Sequence, residues 1–445
     1  MTFARLWRLV VLSVLLVGFF SLVQGRAQQT PQPAAQPAAS AATAPLQAYT
    51  LPPDKLAKAV ALSRIRNILD IVGGVWGLVV LWLLLATRAA TGLESCAAGL
   101  TRRRWVQGLL FFAAFVVITT LAGVPLDVYG EQVSRSYGIS VQGWGSWIGD
   151  QAKALGLGVL FGAPILLLFN GIVRRWPRRY WLGLWVATLP LLVLVIFVQP
   201  LLEPIFDKFE PLNQNHPGLV TELEKVVART GTNIPPSRMF LMKASAKTNG
   251  LNAYVSGIGA TKRIVVWDTT AGRVPDDEVL FIFGHESGHY VLHHIPKMIA
   301  GSAFGLFFVY WACAGLSAWL AGRFGSRWGL SGEAPLGTRA GFVVLLFAIS
   351  VAGFVLEPVS NTFGRYFEHQ ADVYGQEAIH GIVPDPQKTA VAAFNALGAA
   401  WLEDPNPSPF IEFWEYNHPS VQTRANFALH YDPWANGGHG QFFDK

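Results

Sequence analysis

The sequence predicts a mainly α, polytopic membrane protein with a small α+β domain set between its spans. Three observations carry this. Charged residues make up only 14% of the chain and hydrophobic residues 52%, where soluble proteins carry roughly 25% charged residues. Six apolar runs are each about long enough to cross a bilayer, which takes roughly 20 helical residues. Between the fourth and fifth runs, residues 201–298 turn to mixed helix and strand periodicity. The two cysteines, Cys96 and Cys313, are too few for a disulfide scaffold. A formal net charge of +6 could suit nucleic acid, but the arginines sit beside the apolar runs. The partner they imply is the lipid bilayer, and neither nucleic acid nor a partner protein is inferred.

Taken in order, residues 1–27 read as a secretory signal peptide: Arg5 and Arg8, an apolar run from Leu9 to Val23, then small residues around Gly25 and Ala27. Residues 28–50 read as a disordered linker, because 28–47 is almost all Ala, Pro, Gln, Ser and Thr, with no aromatic ring to bury. Residues 51–200 hold four spans, at 68–87, 105–125, 154–173 and 181–200. Residues 299–358 hold two more, at 299–322 and 340–356, the last ending at Glu357-Pro358. Trp105, Trp176, Trp181, Trp319 and Trp328 lie at or near span ends, where amphipathic rings favour the headgroup layer. Asp70, near the start of the first span, is expected to face the interface.

In the domain at 201–298, residues 219–230 have helical spacing, 238–242 is a short apolar run, and 252–257 pairs with 263–267 through Gly259 and Thr261. The segment 263–267 alternates little and reads as an edge strand, to which an extended peptide could add by backbone hydrogen bonds. A helix starts near Pro275, with Asp276, Asp277 and Glu278 complementing its dipole. Residues 359–445 complete the domain with further helices.

The chemistry lies in that helix, which contains His285-Glu286-Ser287-Gly288-His289. Positions i and i+4 share a helix face, so the two imidazoles can meet one zinc ion while Glu286 serves as base toward a water. Ten histidines in 445 residues leave chance a weak explanation. A catalytic zinc generally takes three protein ligands. Ile295 occupies the place where a metzincin has its third histidine. His293 and His294 read as part of the same rigid helix, which cannot fold them back to the metal. A better donor is Glu368, with Asp372 one turn on to accept the second N–H of a ligating histidine; His369 points to another side.

These residues resemble the type I CAAX prenyl endopeptidases, membrane-embedded zinc metalloproteases, and their bacterial relatives. The likeness runs from about Arg104 to Leu429 through six ordered matches. They are Glu203 to Leu212, Asn252-Ala253-Tyr254, Lys262 to Val265 with Asp268-Thr269, the His285 helix with His294, Arg365 to Asp372, and His418-Pro419-Ser420 with Arg424. The resemblance implies a gluzincin-type peptidase domain and membrane helices surrounding an intramembrane chamber that the metal site faces. It further implies one Zn2+ on His285, His289 and Glu368, Glu286 as general base, His418 beside the scissile carbonyl, and Asn252, Tyr254 and Arg424 at the substrate, a peptide or protein. Gly364 replaces a usual Ser, and Gly250-Leu251 a usual His-Ser. The expected activity is metalloendopeptidase, of CAAX-processing type or a general quality-control type. A non-catalytic zinc-stabilised transporter or scaffold fits less well, since Glu286 serves no purpose in a structural zinc site. Arg88, Arg102, Arg103, Arg104, Arg174, Arg175, Arg178, Arg179, Arg323, Arg327 and Arg339 all fall on one side of six spans. The positive-inside rule makes that side cytoplasmic and turns the zinc site outward, to the periplasm.

Overall fold

Among the described residues, six helices are long and apolar enough to cross a membrane: α1 (Pro53–Ala86), α3 (Arg104–Ser136), α4 (Trp144–Arg175), α5 (Tyr180–Phe206), α8 (His294–Phe324) and α9 (Arg339–Ala378). A twelve-residue helix, α2 (Ala89–Leu100), lies between the first two. The structure is a computed structural model and describes residues 48–330, 332 and 334–443; the signal peptide and residues 28–47 lie outside them. The bundle is held by interlocking rings, with Phe342 of α9 edge-on to Phe112, Phe115 and Phe169 at 5.2–6.4 Å.

The arginine-bearing connections gather at one end of this bundle. Arg88 Nε donates to Arg327 O at 2.9 Å, Arg174 Nε to Gly337 O at 3.0 Å, and Arg339 to Arg104 O at 2.9 Å and Glu94 Oε1 at 3.3 Å. Trp328, expected in the headgroup layer, is instead buried, stacked on Phe324 at 5.4 Å.

Beyond α5 the chain forms a four-stranded sheet, β1 (Phe209–Pro211), β2 (Met239–Met242), β3 (Ala253–Ser256) and β4 (Arg263–Trp267), in the order β1-β2-β4-β3. β4 pairs parallel with β2 and antiparallel with β3. It is therefore an interior strand, and the edge-strand expectation for 263–267 is overturned. The physical reason was present in Ile264, Val265 and Val266: a continuous apolar run marks a strand covered on both faces, and all three are at most 1% exposed. The edges belong to β1 and β3, and β3 is the one beside β4. Helices α6 (Pro217–Thr230) and α7 (Asp276–Val291) cover one face, with Leu223, Val226, Val279 and Phe283 packed on Ile264 and Val266.

Two helix boundaries differ from expectation. The sixth span does not stop at Pro358: α9 runs unbroken for 40 residues, so Glu368 sits on the spanning helix itself. A membrane helix tolerates an internal proline when a nearby hydroxyl takes the freed carbonyl, but here Thr362 Oγ1 simply bonds Pro358 O at 2.8 Å on the same face. In contrast α7 ends at Val291, and His293 adopts φ 57°, ψ 36° before α8 begins at His294. His293 and His294 are therefore not on the metal helix.

The end of the presumed linker is also folded. Tyr49 is fully buried, its N–H donating to Gln422 and its hydroxyl to Glu403 O at 3.0 Å. It lies against the closing helices α10 (Pro386–Trp401), α11 (Pro409–Glu415) and α12 (Val421–His430). Five of the spanning helices enclose a cavity of about 860 Å³, with Asp70 on its wall. Gly364 and Phe367 of α9 line it beside Glu368.

Candidate metal centre

α7 and α9 cross with their backbones nearly touching, and glycine is what permits it. A Cβ on Gly375 would lie 2.7 Å from His285 N, and one on Gly284 would lie 3.0 Å from Gly375 O. This approach brings three side chains to one point. Nε2 of His285 and Nε2 of His289 are 3.2 Å apart. Glu368 places Oε2 3.2 Å from the first and Oε1 3.5 Å from the second. Each residue offers one ligand atom, and these atoms all lie within 4.8 Å of one another.

The donor set fits a metal. Glu368 Oε2 is buried and receives no well-directed hydrogen bond, and two ring nitrogens and a carboxylate converge on one point, the donor set that zinc takes. The outward nitrogens are held as well. His285 Nδ1 lies 2.8 Å from Asp372 Oδ1, and Asp372 takes a bidentate pair from Arg424 at 2.9 and 2.6 Å. Burial acts to lower the His285 pKa, but the hydrogen bonds to Asp372 and Glu368 outweigh it and raise it to about 9. Burial lowers His289 to about 3.

Glu286 sits beside the ligands and accepts a hydrogen bond from the Val255 backbone of β3; burial pushes its carboxyl up to about 7. His418 brings Nε2 to 3.2 Å from Glu368 Oε2, and burial lowers its pKa below the ordinary histidine value. Asn252, just ahead of β3, has its backbone fixed on both sides by Thr270 Oγ1 at 2.8 Å. Tyr254 is not brought to the metal. Its hydroxyl donates to Glu203 Oε2 at 2.9 Å, at the exit of α5, where Arg263 also binds. Arg424, expected at the substrate, instead spends its guanidinium on Asp372, with Nη2 3.8 Å from Glu368 Oε2.

The sequence reading missed Tyr290, and it set His294 aside as a ligand and named it only in the family match. Tyr290 donates its hydroxyl to Gly257 O at 2.9 Å, closing the far end of the β3 edge. His294 lies with Nδ1 3.1 Å from Nδ1 of His289. The only signal for His294 was its place in the family pattern, because its contact depends on a helix break that spacing does not reveal.

Comparison with known proteins agrees with this centre. The family described as CAAX prenyl protease N-terminal, five membrane helices, matches residues 37–208, and peptidase family M48 matches residues 213–432. The metalloprotease YhfN of Bacillus subtilis is 32% identical over 379 residues, covering 84% of this chain and 86% of its own. The chain belongs to peptidase family M48. This M48 peptidase is a multi-pass membrane metalloprotease of the CAAX prenyl protease type I family. CAAX prenyl protease 1 of Saccharomyces cerevisiae is 27% identical over 343 residues, covering 73% of this chain and 72% of that one. A crystal structure of S. mikatae Ste24p shares the fold, with a TM-score of 0.72 at 23% identity over 85% of this chain and 89% of that one. The residues that the N-terminal family matches include α1–α5 of the M48 peptidase, of which α2, at twelve residues, is shorter than a membrane span.

Proposed function

We propose that this M48 peptidase is a zinc metalloendopeptidase in which His285, His289 and Glu368 hold the metal and Glu286 is the general base. The observation that carries the reading is the convergence of three ligand atoms within 4.8 Å of one another. Zinc at this point supplies a Lewis acid that polarises a peptide carbonyl and acidifies water. Glu286 takes the proton of the attacking water and delivers it to the departing amine, as a carboxylate beside the metal can do in both steps. His418, whose Nε2 lies beside Glu368, donates N–H to the oxyanion as it develops. Asp372 orients His285, and Arg424 holds Asp372. An extended peptide adds to the free edge of β3 beside Asn252, and Tyr254 steadies that strand from behind through Glu203.

The substrates we infer are exported or membrane proteins met from the outer face, in quality control or processing, because the arginine-bearing connections share the end away from the zinc residues. The eukaryotic relatives, named CAAX prenyl proteases, favour a second reading, CAAX-type processing, which requires a cytosolic site. Glu286→Gln tests the chemistry. It should retain one zinc per chain and lose nearly all peptide hydrolysis, while His285→Ala and Glu368→Ala lose the metal. Normal cleavage by Glu286→Gln would remove Glu286 from the reaction.

A further inference from the structure

His289 faces the metal position through Nε2, and what lies on its other nitrogen is a second histidine. His294 is fully buried, with Nδ1 3.1 Å from His289 Nδ1 and Nε2 3.1 Å from Gln370 Oε1. Gln370 Nε2 in turn donates to the Tyr366 hydroxyl at 3.2 Å. Phe367, which lines the cavity, lies against the His294 ring at 4.7 Å.

Two ring nitrogens at this distance share one proton. Two N–H groups would repel, and two lone pairs would leave a buried acceptor pair unsatisfied. The chain of contacts therefore has only two arrangements, and the protons are ordered along its whole length. In one, the Gln370 carbonyl accepts from His294 Nε2–H, His294 Nδ1 accepts from His289 Nδ1–H, and His289 Nε2 keeps its lone pair. In the other each proton is reversed, and a hydrogen on His289 Nε2 blocks the metal. We propose that His294 and Gln370 are positioning residues that hold His289 in the ligating tautomer. This rests on the assignment of His289 as a ligand. His285 and His289 are thus oriented differently, the first by an ionised Asp372 and the second by a neutral relay, so the second support adds no charge to the centre.

The fold makes the relay at a cost. On a continuous helix, residues five apart point well away from each other, at about 100° per residue. Ending α7 at Val291 and turning the chain through His293 in the left-handed region, which a residue with a Cβ rarely adopts, swings His294 back onto His289. The first residue of the spanning helix α8 is therefore the relay itself.

The test uses the full-length enzyme, stripped of metal and titrated with zinc against a chromogenic chelator. His294→Ala should bind zinc about 10- to 100-fold more weakly than wild type. Gln370 is partly exposed, so its variants fold even where His294→Ala does not. Gln370→Met, which cannot accept, should weaken zinc binding several-fold, whereas Gln370→Glu, which keeps an acceptor, should hold it as tightly as wild type or tighter. Because Gln370 acts through His294, the double variant His294→Ala/Gln370→Met should bind no more weakly than His294→Ala alone. Wild-type affinity in Gln370→Met, or fully additive losses in the double variant, would overturn the relay. A wild-type enzyme that takes up no zinc would instead overturn the ligand assignment beneath it.

Discussion

Glu403 is 2% exposed, and burial pushes its carboxyl up from 4.5 to about 7 despite the pull of Arg424 and Arg66. An acid raised in the folded state favours its neutral form. The stability it contributes is complete below the unfolded value and is lost as pH rises through about 7. Glu403→Gln should therefore be more stable than wild type at about pH 8, by up to ~3 kcal/mol, with most of that gap closed at about pH 5. Thermal melts in detergent at both pH values check this, and a gap that widens on acidification would reverse the sign. At this scale the cluster was legible in part, since i,i+4 spacing on a helix is enough to pair the imidazoles of His285 and His289, while Glu368 was offered as a donor from another helix. Arg424 was legible only as a family match, because its contact with Asp372 joins segments 52 positions apart. The two departures from the family pattern have local causes in packing. A Cβ on Gly250 would lie 2.3 Å from the Trp401 ring, and one on Gly364 would lie 2.8 Å from Asn417 O, next to His418.

Among elements, the decisive contact is the crossing of α7 and α9, where Gly284 and Gly375 let the two backbones meet. Gly375→Ala should force the helices apart and cost about 1–3 kcal/mol, the usual penalty of overpacking, and because His285 and Glu368 sit on opposite sides of that contact it should also weaken zinc binding. Metal content after dialysis, read beside the melting temperature, tests both; a variant that melts lower yet keeps full zinc affinity would show that the crossing does not set the ligand distances. The elements themselves were mostly readable, α6 from its helical spacing and β3 with β4 from the turn at Gly259. Where the sequence misled, a local rule met a tertiary exception. Pro358 reads as a stop, but α9 continues through it. His293 carries no glycine-like signal, yet its left-handed backbone ends one helix and starts another. The low alternation of β4 reported burial on both faces rather than an exposed edge.

For the whole molecule, the arginine-bearing connections are tied together at one end by Arg88, Arg174 and Arg339, and the outward orientation proposed from them can be read directly. In a chain with Cys96 and Cys313 replaced, single cysteines at Ser326 and at Asn436, both exposed, are exposed to a membrane-impermeant thiol reagent on intact cells. Labelling at Asn436 and protection at Ser326 are expected; the converse would turn the site to the cytosol and revive the CAAX reading. The unbroken helix α9 has a consequence of its own. Forty helical residues span about 60 Å, roughly twice the hydrocarbon thickness of a bilayer, so one rigid rod is anchored in lipid at its start and carries Glu368 beyond its midpoint. Mismatch between a span and its bilayer is relieved by tilt, and tilting this rod displaces a ligand of the metal. The enzyme should therefore respond to acyl-chain length: reconstituted in phosphatidylcholines of increasing chain length, it should show a maximum in turnover at one thickness with zinc content unchanged, while a flat profile would mean that α7 and α9 move as one body. Membrane thickness would then be a variable of the reaction, in the same sense as pH or ionic strength.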